Sequence, residues 1–532
     1  MKKILITLLV IGAFTACDQR YEELNTEKKN PADVPGETLF SYGMKEMFDM
    51  MVNTNVNENV FRLYAQYWSQ TTYPDESAYN QVTRQIPDNV WQNGYRNALK
   101  NMVDGRQKLA DNPDPLLSDA QNANKLAVID INIAYTYAIL DEVFGDIVFD
   151  EALDPDNLTP KYDDGKTTYD NVITMIDDAL SRMDPSEPSI SSGQDAVYRG
   201  NTAQWMMFAN SLKLRMALMY FDDNPTKATT MINEAYADGL IMDPADNASI
   251  EYQDGAPGTN PLYEDLVLSG RKDFVVSNTL VDKLNDLGDT RIFAYATDPI
   301  SFPYHVDANN TKKDSTVTDG KGRFIIWKNG TVEYMATPFT ILAADSLNGP
   351  SLFEGGVYGT ANGYAGVSHI GDRMFEPNLK GTLISSTEVM FLLSEAAARG
   401  VAMGGMTAED YYNAGIISSF ADWGRPASEA TAYLANTDVA YTTADGGSGN
   451  WKQIIGTQAW LALYNRGYAG WTTWRRLDFA GFNPPPDMTL ADIPTRLLYP
   501  VREATLNGAN MAAAAAKIGG DSKTTKLWWD KN

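Results

Sequence analysis

The sequence predicts a mostly α-helical chain, a scaffold of paired helices interrupted by a loop-rich lobe with short strands. Three observations carry this. Apolar residues recur at helical spacing over long stretches before about residue 240 and after about residue 380. Between about 241 and 380 the chain becomes rich in Gly, Pro, Asn, Asp and aromatics, as in "YQDGAPGTNPLY" and "GGVYGTANGYAG", which suits loops and short strands. The late amphipathic stretches are joined by only a few residues, as in stacked helical hairpins of the TPR type, although no clean repeat of about 34 residues is visible.

The chain opens with "MKKILITLLVIGAFTAC". Lys2 and Lys3 precede an apolar run, Ile4 to Phe14, and then small residues. That order marks a secretory signal peptide over residues 1–16, too short to cross a bilayer. Cys17 is the only cysteine in 532 residues. "FTAC" resembles a lipobox, with Phe14 in place of the preferred Leu, so Cys17 is the expected lipidation site, carrying palmitate-type acyl chains. Residues 17–40, polar and holding Pro31, Pro35 and Gly36, read as a tether. One domain, 41–532, is expected to follow, its helical scaffold at about 41–240 and 381–532 and its lobe at about 241–380.

"VFRLYAQYWSQ" reads as a helix with Val60, Tyr64, Tyr67, Trp68 and Thr71 on one face, and "WQNGYRNALKNMVDGRQKLA" as a second. "SDAQNANKLAVIDINIAYTYAILDEVFG" is the clearest long helix, with Ser118 and Gln121 at capping-box spacing, an apolar stripe from Leu126 to Phe144, and Gly145 at its end. Helices are predicted over 167–182, 200–221, 225–238 and, inside the lobe, 275–286. "RFIIWKNGTVEYM" sets Asn-Gly between two β-rich runs and reads as a hairpin. "SSTEVMFLLSEAAARG" is bounded by a Ser385–Glu388 capping box and Gly400, and "TAEDYYNAGIISSFADWG" follows it. Trp460, Trp471 and Trp474 read as core, and "LWWD" at 527–530 as a terminal anchor.

A net charge of −26 disfavours nucleic acid as a partner. Two isolated histidines and one cysteine lack the ligands for a zinc cluster or an iron–sulfur centre, so no metal or cofactor is expected. "DPDNLTPKYDDG" looks like a calcium loop but breaks the alternating acidic spacing.

Several segments together resemble the SusD/RagB family of outer-membrane nutrient-binding lipoproteins, which serve polysaccharide utilization and nutrient uptake in Bacteroidota. In "YEELNTEKKNP", Leu24, Asn25, Asn30 and Pro31 match its opening; in "EVFGDIVF", Phe144, Gly145, Asp146 and Ile147 match. In "LNDLGDTRI", Asp289 and Arg291 match an Asp-Pro-Arg stretch, from which Thr290 departs. "TEVMFLLSEAAARG", "GYAGWTTWRRLDFAGFNP" and "IPTRLLYPVREATLN" are similar to three further stretches. The resemblance implies a fold of four TPR-like helix pairs, no catalytic activity, and a SusC-type TonB-dependent transporter as partner.

Glycan binding needs aromatic faces with polar groups beside them. Tyr73, Tyr79 and Asn80 sit in a Pro-containing loop, with Trp68 just before it. Tyr263, Arg271 and Trp327 lie in the lobe, as do Tyr358 and Tyr364. The expected function is capture of an oligosaccharide by a lipid-anchored protein on the exterior of the outer membrane. A RagB-type peptide-binding protein is the alternative. A secreted glycoside hydrolase is a third reading, disfavoured because 69 acidic residues on an anionic chain are mostly solvated.

Overall fold

The computed structural model describes residues 34–297 and 353–531, and between them the backbone of six short strands. Cys17 and most of the tether fall outside the described residues. The first helix, α1 (Gly36–Val52), begins inside the expected tether, because Phe40, Met44, Met47 and Phe48 share one buried face. Ile86–Gln92, a π-helical stretch Asn93–Leu99 and α2 (Lys100–Asp111) run on without a break, and α2 packs on α1. Gly105 permits that contact, since a Cβ there would lie 2.6 Å from the Gly36 carbonyl.

Then come α3 (Asp119–Phe144), α4 (Gly165–Arg182), α5 (Thr202–Tyr220) and α6 (Pro225–Asp238). The lobe contains α7 (Asn278–Asp286). Beyond it lie α8 (Ser386–Ala398), α9 (Ala408–Asp422), α10 (Ala427–Leu434), α11 (Trp451–Ala462), α12 (Gly467–Leu477) and α13 (Gly508–Lys517). Four sequence-adjacent pairs, α3/α4, α5/α6, α8/α9 and α11/α12, pack as hairpins, which is the TPR-like architecture.

The expected stripe on α3 is in fact all-round burial: every residue from Ala127 to Phe144 is covered. A helix surrounded by α1, α2, α4 and α5 has no solvent face. Several of its polar groups are tied internally: Tyr169 Oη donates to Glu142 Oε1 at 2.8 Å, Tyr468 Oη donates to Glu142 Oε2, and Asn124 Nδ2 donates to the Asp184 and Glu187 carbonyls, 2.9 Å each. The Ser118 capping box forms as expected. At α8 only half of one does. Ser385 Oγ accepts from the Glu388 amide, but the Glu388 carboxylate turns away to Arg215 and Arg466.

The helix expected over "VFRLYAQYWSQ" is a correction. Only Phe61–Tyr64 is helical; Gln66 takes a left-handed backbone (φ 55°), and Trp68–Gln70 is a strand. That strand pairs antiparallel with Phe274–Val276 in the register Trp68↔Val276, Gln70↔Phe274. Ala248–Ile250 pairs with Gly381–Ile384, tying the lobe to the scaffold. The expected hairpin is present as backbone, Phe324–Lys328 against Thr331–Met335, with Lys328 opposite Thr331. Among the described residues no helix is long and apolar enough to cross a membrane.

Candidate functional site

The pairing of Trp68–Gln70 with Phe274–Val276 builds the site. Tyr73 follows one strand by three residues and Arg271 precedes the other by three, so both reach the same rim. Thr71 extends the clamp: its amide donates to the Asp273 carbonyl at 2.9 Å and its hydroxyl to the Lys272 carbonyl. The resulting cleft of about 370 Å³ is lined by Tyr73, Arg84, Asp265, Ser269, Arg271 and Asp273, with the Asn-rich turn Thr54–Asn57 on its far side. Its size falls in the usual range for small-molecule sites.

Tyr73 is the aromatic face of this cleft. Its backbone is left-handed (φ 51°) and its side chain is 66 % exposed. Tyr79 and Gln85, in the same loop, are also left-handed (φ 64° and 50°). Such conformations cost free energy and persist only where the surroundings impose them. Buried Glu76 is the post: its carboxylate accepts from Gln70 Nε2 at 2.7 Å and pairs with Arg84, and Gln70 Oε1 accepts from the Ser77 amide at 3.0 Å. Arg271, well exposed, forks onto Asp273. Asp265 lies deeper, and burial, with Glu58 and Glu264 adding to it, pushes its carboxyl up to about 6. The cleft thus offers one open aromatic ring, two guanidiniums, carboxylates and amides, the groups that stack on and hydrogen-bond a polyhydroxylated ring.

Not all expected residues belong here. Trp68 is 0 % exposed; its Nε1 donates to Tyr464 Oη at 3.0 Å and the Arg62 guanidinium lies over its ring. Tyr79 is 2 % exposed, packed edge-on against Tyr64, with its hydroxyl accepting from Gln66 Nε2 at 3.2 Å. Both are core residues and present no face to a ligand. Asn80 is spent on its own loop, accepting from the Val82 and Thr83 amides. Tyr263, half-buried in the turn Pro261–Tyr263, does not line the cleft. Trp327 lies in the strand Phe324–Lys328, and its side chain is outside the described residues. Tyr358 is buried, its hydroxyl donating to the Leu63 carbonyl at 2.7 Å, whereas Tyr364 stacks on His369 with Lys272 over its ring, beside the rim. Of the residues expected at the site, Tyr73 and Arg271 come together in the cleft. Arg84, Asp265 and the Asn55–Asn57 turn were missed; the run "NTNVNEN" was the available signal.

Among the described residues no group of three or more His, Cys, Asp or Glu is placed to hold a metal ion. The "DPDNLTPKYDDG" loop is turn chemistry, with Asp154 Oδ1 accepting from the Asp156 amide.

A helical-hairpin scaffold with an inserted lobe and a rim cleft defines a class of TPR-like proteins, and comparison specifies which. The model of the SusD-like family described as "Starch-binding associating with outer membrane" matches residues 28–320 and 335–500, and the chain belongs to that family. Its structure is similar to a chitin-binding protein (TM-score 0.72, 23 % identity, covering 93 % of this chain and 100 % of that one). It is also similar to a chitin-binding SusD homologue from Flavobacterium johnsoniae (0.71, 22 %, 92 % and 98 %) and to a SusD homologue from Bacteroides thetaiotaomicron (0.69, 19 %, 94 % and 100 %). A search of curated proteins finds no match.

Proposed function

We propose that this protein binds an oligosaccharide in the Tyr73–Arg271 cleft and passes it, unaltered, to a SusC-type TonB-dependent transporter. It does so on the outer face of the outer membrane, held by acyl chains on Cys17. The observation that carries the reading is the rigidly supported, outward Tyr73 ring beside two guanidiniums and a row of amides. Family membership and the glycan ligands of its structural relatives agree with it.

The test is calorimetry of the purified protein against chito- and malto-oligosaccharides and a set of peptides. Heat with a glycan, weakened about tenfold (~1.4 kcal/mol) by Tyr73→Ala, supports the reading. Heat with peptides alone would replace it by the RagB-type reading. Turnover of a sugar substrate would make the protein a hydrolase. For the anchor, labelled palmitate is expected in the wild-type chain and absent from Cys17→Ala.

A further inference from the structure

A second, larger cleft of about 420 Å³ opens elsewhere on the molecule, between the end of α1, the strand Gly381–Ile384, the start of α8, the end of α9 and the α11–α12 turn. Four cations line it: Arg62 and Arg466 toward the floor, Arg373 and Lys380 exposed at the rim. One lining carboxylate, Asp422, stands against them. Arg466 is matched by Glu388, which also holds Arg215. Arg62 is not matched. It is 3 % exposed and donates to three neutral acceptors, the Val52 and Asn53 carbonyls at 2.6 Å and Asn465 Oδ1 at 2.9 Å. Among the described residues no carboxylate lies within ion-pair distance of it, and burial draws its guanidinium down to about 10. Lys380 likewise has no ion-pair partner among the described residues, and Arg373 spends its described bonding on the Asp422 carbonyl and the Trp423 ring. A buried, uncompensated charge is costly unless something of opposite sign reaches it. On a chain of net charge −26, such a surplus of positive groups in one concave site is a built feature.

The neutral lining gives the ligand its second property. Asn247, Ser249, Thr382, Ser385 and Thr387 are amides and hydroxyls. Ser385 is the N-cap of α8, where its Oγ accepts from the Glu388 amide and Asn247 Oδ1 accepts from the Ser386 amide, so two of these lining groups are fixed by the helix end. From this geometry we infer that the cleft is a second binding site, for a carboxylate-bearing sugar of the uronic-acid class: its carboxylate faces the arginines and its hydroxyls face the amides and hydroxyls. The Tyr73 cleft shares no lining residue with it.

The test uses the full chain in detergent, titrated with glucuronate, glucose and inorganic sulfate. Glucuronate is expected to bind, glucose not measurably, and added salt to weaken the binding. The exposed rim variants Arg373→Gln and Lys380→Gln are each expected to weaken it about tenfold with an unchanged Tm. Tyr73→Ala is expected to leave it unchanged, which separates this site from the oligosaccharide cleft. Equal responses to glucuronate and glucose, no response to glucuronate, or rim variants that bind like wild type would overturn the proposal. So would sulfate binding as tightly as glucuronate, since the hydroxyl-bearing lining would then select nothing.

Discussion

Asp265 shows how one side chain can report on the cleft. Burial holds its folded-state pKa at about 6, above its ordinary value of 3.8. Between those values the folded state binds more protons than the unfolded one, so stability falls as pH rises through this window. Asp265→Asn removes that loss while keeping an oxygen to accept the nearby backbone bond. The expected result is a higher Tm than wild type at pH 8 and little difference at pH 3, below the ordinary carboxylate value; an equal effect at both would show that the carboxyl does not titrate in this range. At the other extreme are Asp289 and Arg291, both 0 % exposed and bonded bidentately, with Arg291 also donating to Ser419 Oγ at 2.8 Å and lying over the Phe420 ring. Asp289→Ala leaves the guanidinium buried without its carboxylate and is expected to cost about 3–5 kcal/mol in chemical denaturation.

At the scale of elements, the segments that suggested the family prove to be the ties between helices. Glu395 of α8 pairs with Arg476 of α12 and with Arg399. Arg475 of α12 donates to the Glu142 and Thr495 carbonyls, and Arg496 to the Phe144 carbonyl. Tyr499 Oη donates to the Asp146 carbonyl at 3.0 Å. Glu395→Gln is expected to lower stability by about 3 kcal/mol without changing the affinity of the Tyr73 cleft, read by melting and calorimetry side by side. This division explains what the sequence could tell. Helix ends were readable because Ser118, Gly145 and Gly400 act locally. The strand Trp68–Gln70 was not, because "FRLYAQYWSQ" is buried on every side and loses any period. Tyr73 and Arg271 were nameable singly, as exposed loop groups. Their meeting, and the whole of the second cleft, depend on pairings across the chain that no local pattern encodes.

At the scale of the whole molecule, the C-terminal segment closes the scaffold. Leu527 and Trp529 are buried, Trp528 packs edge-on against Tyr169, and the Arg475 guanidinium lies over the Trp529 ring. Removing residues 527–532 strips two large buried side chains, each worth about 1.5–3 kcal/mol, and is expected to lower Tm sharply with loss of cooperativity in the melt. The clamp behind the Tyr73 cleft bears on timing. Thr71 and Lys272 are 201 positions apart, so the rim is closed by a long-range contact, whereas the helix hairpins are closed by near neighbours. Long closures come late in folding. A folding chain would therefore complete its first helix pairs while the strand Trp68–Gln70 still showed an open edge, the kind of edge that recruits other strands. In pulse-labelled refolding, the Thr71 amide is expected to gain protection after the amides of α3; simultaneous protection would show that the clamp nucleates the fold. The feature that makes the cleft is also a point at which the unfinished protein is open to misassociation.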